Sequence, residues 1–201
     1  RARGVPVESV VMTVRTSSAA ATLVDRLAAP AAISRLLAVL FVTALTAALS
    51  QVSFPLPFTP VPFTLQPMVV LLGGAALGAR LGAASQILYL TAGLAGLPVF
   101  AHAPELPQGM LRLMGPSGGY LLAYPLAAFV TGSLAQRGFD RRFGSALLAM
   151  TAGLAVVFGG GVLWLAKDLG LAAALTLGLY PFLLVDAIKI VAAASVLPAV
   201  W

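Results

Sequence analysis

The 201-residue sequence has no cysteine and a single histidine, His102. Without cysteine there is no disulfide, no thiolate metal site and no cysteine nucleophile, and one histidine cannot build a multi-histidine metal centre. Charge is also scarce: 9% of residues are Asp, Glu, Lys or Arg, against roughly 25% in an ordinary globular domain. So little charge cannot cover a compact body with a solvated surface, and a soluble fold is excluded. No G-x-x-x-x-G-K-[ST] phosphate loop occurs, so any ATP chemistry belongs to another chain. What the sequence has in excess is apolar: 60% hydrophobic residues and a mean hydropathy of +1.02. A helix crosses the ~30 Å hydrocarbon core in roughly 20 residues, which leaves room for about five to seven spans in one polytopic domain.

Twelve Lys and Arg outnumber six Asp and Glu, for a formal net charge of +6. No basic run is interleaved with aromatics, so the excess bears on membrane orientation rather than on nucleic acid. Residues 1–34 mix Arg1, Arg3, Arg15 and Arg26 with Ser, Thr and Ala and read as a poorly ordered cytoplasmic extension, within which Met12 is a candidate start. From residue 35 onward the pattern predicts an all-α membrane domain of six transmembrane helices, over about 35–52, 68–79, 81–97, 117–136, 143–166 and 180–200. Between the first two spans, prolines 55, 57, 60, 62 and 67 remove donors and lock φ, so 53–67 is predicted to be an extended outer loop or re-entrant cap. Loops at 98–116, holding His102, Glu105 and Arg112, and after Lys167-Asp168 join it on that side. Nine arginines fall on the N-terminal side of such a bundle (Arg1, Arg3, Arg15, Arg26, Arg35, Arg80, Arg137, Arg141, Arg142), against Arg112 and Lys167 on the other. Both termini are therefore expected to be cytoplasmic. Trp164, Tyr120 and Tyr124 fall near the outer interface.

Only Asp186 and Lys189 place charge inside a predicted span. Each costs at least ~2.5 kcal/mol to insert and faces a cavity or a partner. Three residues apart on a helix, they share one face, as a mutual salt bridge or as a pair that offers acceptor and donor to a small polar ligand. Gly115-Pro-Ser-Gly-Gly-Tyr120 opens the fourth span and formally matches G-x-S-x-G and the G-x-S-G of rhomboid-type proteases. An intramembrane hydrolase using Ser117 needs a histidine base on a later helix, and His102 precedes Ser117. The motif is better read as a glycine-rich helix start that lets backbone come close to a ligand or a neighbouring helix. Gly74-x-x-x-Gly78, Gly78-x-x-x-Gly82 and Ala44-x-x-x-Ala48 are close-packing spacings. Gln66, Gln86 and Tyr89 are polar groups near or within apolar segments, either bonded inside the bundle or in contact with a ligand.

Several blocks, in order and spacing, resemble the BioY family of biotin-binding substrate-specificity (S) components of energy-coupling factor transporters. They are Pro60-Val-Pro-Phe-Thr-Leu-Gln66, Leu-Leu-Gly-Gly-Ala-Ala-Leu-Gly78, Tyr89 with Gly96-Leu-Pro-Val-Phe-Ala101, Gly115-Pro-Ser-Gly-Gly-Tyr120 and Pro181-Phe-Leu-Leu-Val-Asp-Ala-Ile-Lys189. The resemblance covers about 35–201. It implies a six-helix protein of the plasma membrane that captures biotin from outside and works with a transmembrane coupling (T) protein and two cytoplasmic ATPases. It implies no cofactor and no catalytic residue in this chain. Asp186 and Lys189 match the polar pair that hydrogen-bonds the ligand. Gln66, Tyr89, Gly118 and Tyr120 fall where the cavity is lined, with His102 a further candidate contact. Ala44 and Ala48 resemble the alanine pair that docks on the coupling protein, with Thr43 and Ala47 an adjacent register. Ser117 stands where the family more often has Thr, and the Ala-His-Ala-Pro-Glu stretch after Phe100 departs from the usual small residues. Open alternatives are an S component or porter for another small vitamin, the Ser117 hydrolase, and action alone or as a homo-oligomer.

Overall fold

The structure is a computed structural model that describes residues 31–101 and 107–200. Helix α1 (Ala31–Ser50) is followed by two short strands, β1 (Ser53–Phe54) and β2 (Phe63–Thr64), and by α2 (Gln66–Leu77) and α3 (Ala79–Leu94). Then come the five-residue α4 (Met110–Met114), α5 (Gly118–Ala135), α6 (Phe143–Leu169), α7 (Leu171–Gly178), α8 (Tyr180–Val196) and a 3-10 turn, Leu197–Val200.

The proline-dense segment is non-helical for most of its length, as expected from its missing donors. It doubles back so that β1 and β2 pair antiparallel with Ser53 opposite Thr64 and Phe54 opposite Phe63. Proline appears again where it is tolerated, in the first turns of α2 (Pro67) and α8 (Pro181),. One residue separates α2 from α3: Gly78, at φ 79° and ψ 174°, a left-handed value that a side chain rarely adopts.

Large apolar side chains lie on the outside: Leu37 and Phe41 of α1, Ile87 of α3, Leu126 and Phe129 of α5, Leu163 of α6, Leu184 and Ile188 of α8 are all exposed. Water does not tolerate such a surface over a whole body, whereas hydrocarbon does, and the fold is that of a membrane protein. Three helices are long and apolar enough to cross a membrane, Ala32–Ser50, Gly118–Ala135 and Phe143–Leu169. The pair α7 and α8, bent by 44° at the break between them, makes a fourth if counted as one span. At 12 residues α2 rises only about 18 Å, and most of its side chains are buried inside the bundle.

Two elements differ from the sequence expectation. Residues read as a loop after Lys167 form the end of α6 and then α7; Lys167 lies on its own helix 3.9 Å above the Trp164 ring, a cation–π contact that lets the charge stay on an apolar helix. The loop holding Arg112 contains α4, whose five residues are too few to be visible as a periodic pattern.

Contacts between helices fix which ends meet. Thr43 Oγ1 donates to Ser85 O at 2.9 Å and Ser50 Oγ to Val99 O at 2.6 Å, so α1 and α3 run parallel. Ala79 N donates to Gln136 Oε1 at 3.4 Å, which puts the start of α3 beside the end of α5. Helices α5 and α6 approach closely at Gly119, where an added Cβ would stand 2.5 Å from Gly160 O. The starts of α2, α5 and α8 therefore gather at one end of the bundle, and Arg35, Arg80, Arg137, Arg141 and Arg142 gather at the other.

Candidate functional site

At the end where α2, α5 and α8 begin there is a pocket. It encloses about 560 Å³ of space between atoms, its open mouth included. The β1–β2 segment supplies Val61, Pro62 and Thr64; α2 supplies Gln66; α4 supplies Arg112; α5 supplies Tyr120, Leu121 and Tyr124; α6 supplies Val157 and Phe158; and α8 supplies Phe182, Asp186 and Lys189.

Asp186 and Lys189 face the same side of α8, as their spacing requires. Lys189 Nζ donates to Asp186 Oδ1 at 2.7 Å and to Thr64 O at 2.7 Å, and sits 3.8 Å above the centroid of the Phe63 ring. Phe63 in turn stacks on Phe182, with centroids 6.1 Å apart and planes 8° from parallel. A buried ammonium is thus held by one carboxylate, one carbonyl and one ring face. Both charges are almost wholly buried, and the second oxygen of Asp186 makes no hydrogen bond among the described residues.

Gln66 lines the pocket, and Tyr89 stands behind it. The Tyr89 hydroxyl donates to Val99 O at 3.0 Å and accepts from Gln66 Nε2 at 2.6 Å. Since the hydroxyl has one proton and spends it on Val99, the Gln66 amide must present NH₂ to the tyrosine and keep its carbonyl oxygen for the pocket. Tyr89 is fully buried, edge-on to Phe100 at 5.6 Å, so it positions Gln66 rather than lining the cavity. Tyr120 does line it, and its hydroxyl donates to Gly178 O at 2.7 Å, tying α5 to the end of α7. Thr59 Oγ1 donates to the adjacent carbonyl, Leu177 O, at 2.6 Å. Gly118 sits behind the wall, where its missing side chain admits the Leu113 backbone. His102 lies outside the described residues.

Sequence reasoning passed over Arg112, which it placed in a loop. The side chain is 1% exposed and reaches into the pocket wall; one terminal nitrogen, Nη2, donates to Ala101 O at 2.7 Å, while Nε and Nη1 are buried with no partner among the described residues. Burial lowers the Arg112 pKa from its ordinary value, and Tyr89 and Tyr124 act in the opposite direction; arginine starts high enough to remain charged at neutral pH. The signal was present in Met110-Leu-Arg-Leu-Met114, a lone cation in an apolar run. Ser117 Oγ, also on the pocket wall, is likewise buried with no partner among the described residues. A nucleophilic serine needs a hydrogen-bonded base, so the hydrolase reading gains no support.

The exposed Ala44 and Ala48 lie on the outer face of α1, away from the pocket. Thr43, in the adjacent register, is turned inward to Ser85. Among the described residues no group of three or more His, Asp or Glu could hold a metal ion.

Fold and pocket together define a helical membrane protein with a small-molecule cavity at one end. Residues 13–201 match the model of the BioY family. The chain is 39% identical over 153 residues to the probable biotin transporter BioY of Pyrococcus horikoshii, a match covering 76% of this chain and 86% of that protein. It is 38% identical over 142 residues to the biotin transporter BioY of Thermotoga maritima, covering 70% of this chain and 81% of that one. A 2.1 Å crystal structure of the S-component for biotin from an ECF-type ABC transporter superposes with a TM-score of 0.74 at 27% identity, over 84% of this chain and 90% of the other. The chain belongs to the BioY family.

Proposed function

We propose that this protein is the biotin-binding S component of an ECF-type uptake transporter and that its pocket takes biotin as the free acid. The observation that carries this reading is the charge balance of the cavity. Asp186 and Lys189 neutralise each other at 2.7 Å, which leaves the guanidinium of Arg112 with two buried nitrogens that have no partner among the described residues. An uncompensated buried charge is costly, so the occupant that fits best is a monoanion. Biotin brings one carboxylate for Arg112 and Ser117. It also brings a ureido ring with two N–H donors, for Asp186 and the Gln66 carbonyl, and one acceptor for Lys189. Its thioether ring and aliphatic chain suit Leu121, Val157, Phe158 and Phe182.

The rest of the assembly follows the same reading. The chain crosses the plasma membrane six times, through α1, α2, α3, α5, α6 and the bent α7–α8, with the residues before α1 as an extension preceding the six-helix domain. The arginine-rich end is cytoplasmic, as are both termini, and the pocket opens outward beneath the β1–β2 segment, which acts as its cover. Ala44 and Ala48 offer a smooth face on α1 for the coupling protein, and ATP hydrolysis belongs to two partner ATPases. Titration of the purified protein with biotin tests the reading. Submicromolar, one-to-one binding is expected, and no measurable binding would reject it.

A further inference from the structure

The arginines at the end opposite the pocket do more than set orientation. Arg80 is the second residue of α3 and Arg137 follows α5 by two; both are exposed. The bond from Ala79 N to the Gln136 side chain ties the start of α3, next to Arg80, to the end of α5, next to Arg137. Each arginine crowns an outward stripe. On α5 the exposed side chains are Leu122, Leu126 and Phe129, at spacings of four and three that continue through half-buried Ser133 to Arg137 on one helix face. On α3 the stripe runs from Arg80 through Ala84, Ile87 and Leu88. Arg141 and Arg142 are exposed in the connection to α6, and the one acid of this end among the described residues, Asp140, is buried.

We propose that the outward faces of the packed helices α3 and α5 bind an anionic glycerophospholipid, with its phosphate between Arg80 and Arg137 and its acyl chains along the two stripes. Arginine forks match phosphate oxygens, and basic pockets between transmembrane helices on the cytoplasmic side hold anionic headgroups. The exposed apolar residues of the α5 stripe, Leu122 to Phe129, rise about 10 Å of the roughly 15 Å of one leaflet's hydrocarbon, so an acyl chain meets apolar surface over much of its length. That continuity is what favours a lipid over a soluble phosphate, which would meet the arginines alone.

Native mass spectrometry of the full chain, delipidated and then offered equal phosphatidylglycerol and phosphatidylcholine, tests the site. Wild-type protein is expected to retain phosphatidylglycerol selectively. Arg80→Gln with Arg137→Gln should weaken that selection about tenfold. Arg80→Lys with Arg137→Lys should keep most of it, and Lys167→Gln, at the other end of the bundle, should leave it unchanged. Thermal unfolding confirms that each variant is folded. Equal retention of the two lipids by wild type would overturn the proposal, as would undiminished selection in a folded double-glutamine variant. Displacement of the retained lipid by millimolar inorganic phosphate would also overturn it, since a free-anion site would then suffice.

Discussion

Tyr89 holds Gln66 from behind: a 2.6 Å bond from the amide nitrogen and a 3.0 Å bond onward to Val99 O make the tyrosine a strut between α3 and the start of α2. Tyr89→Phe removes the hydroxyl, frees the amide to flip and leaves Val99 O with the Ser50 hydroxyl as its remaining side-chain donor. Biotin affinity is expected to fall by about 0.5–1.5 kcal/mol, the worth of one such bond, or roughly two- to tenfold. Unchanged affinity by isothermal titration would show that Gln66 does not meet the ligand.

Lys189→Met strips the buried Asp186 of its partner. Loss of one member of a buried pair is expected to lower both thermal stability and biotin affinity, the latter by about 1–3 kcal/mol. Adding Asp186→Asn to Lys189→Met should recover much of the stability, because no buried charge is then left alone, while binding stays weak. Recovery of binding along with stability would count against a role of the pair in ligand recognition.

Arg112 gives a prediction about specificity. Wild type is expected to prefer biotin to its primary amide by at least tenfold, because the amide leaves the guanidinium uncompensated. In Arg112→Gln that preference should collapse, mostly through weaker binding of the acid. Competition against labelled biotin reads both numbers, and an undiminished preference in the variant would place the carboxylate elsewhere.

Gly119 and Gly159 form a matched pair of controls for packing. An added methyl at Gly119 meets Gly160 O and the Trp164 side chain, whereas at Gly159 nothing lies within 4 Å. Gly119→Ala should lower the unfolding temperature by several degrees. Gly159→Ala should hold or raise it, since alanine favours helix by up to about 1 kcal/mol over glycine. The opposite order would mean that α5 and α6 are not packed as described.

Ala44→Leu with Ala48→Leu enlarges the outer face of α1 without touching the pocket. Biotin binding should be retained, and co-purification with a coupling protein and its ATPases should be lost. Normal co-purification of the variant would move the interface off this face.

The legible parts of the sequence were those where one residue type has few physical options. The prolines at 55, 57, 60 and 62 excluded a helix there whatever the tertiary context, and an ionisable pair in Val-Asp-Ala-Ile-Lys-Ile had to find an interior face. Tyr89 and Tyr120 were not separable in advance. Both are aromatic residues with a hydroxyl in an apolar helix, and whether the ring meets the cavity or braces another side chain depends on helix rotation, which long-range packing sets. The five residues of α4 and the eight of α7 were too short for a periodic signal. Arg112 went unnoticed because its loop position gave it an apparent route to water.

The brevity of α2 has a bearing on how the ligand arrives. The helix lifts Gln66 only about 18 Å above the Gly78 corner, while the hydrocarbon of a bilayer is about 30 Å deep. The helix therefore falls short of a full crossing by about 12 Å, and the paired β1–β2 segment precedes it at the pocket end. On the function proposed above, biotin sheds hydration as it enters beneath that segment, and the buried polar groups of the pocket meet it in a medium of low dielectric constant, where each hydrogen bond is stronger than in water.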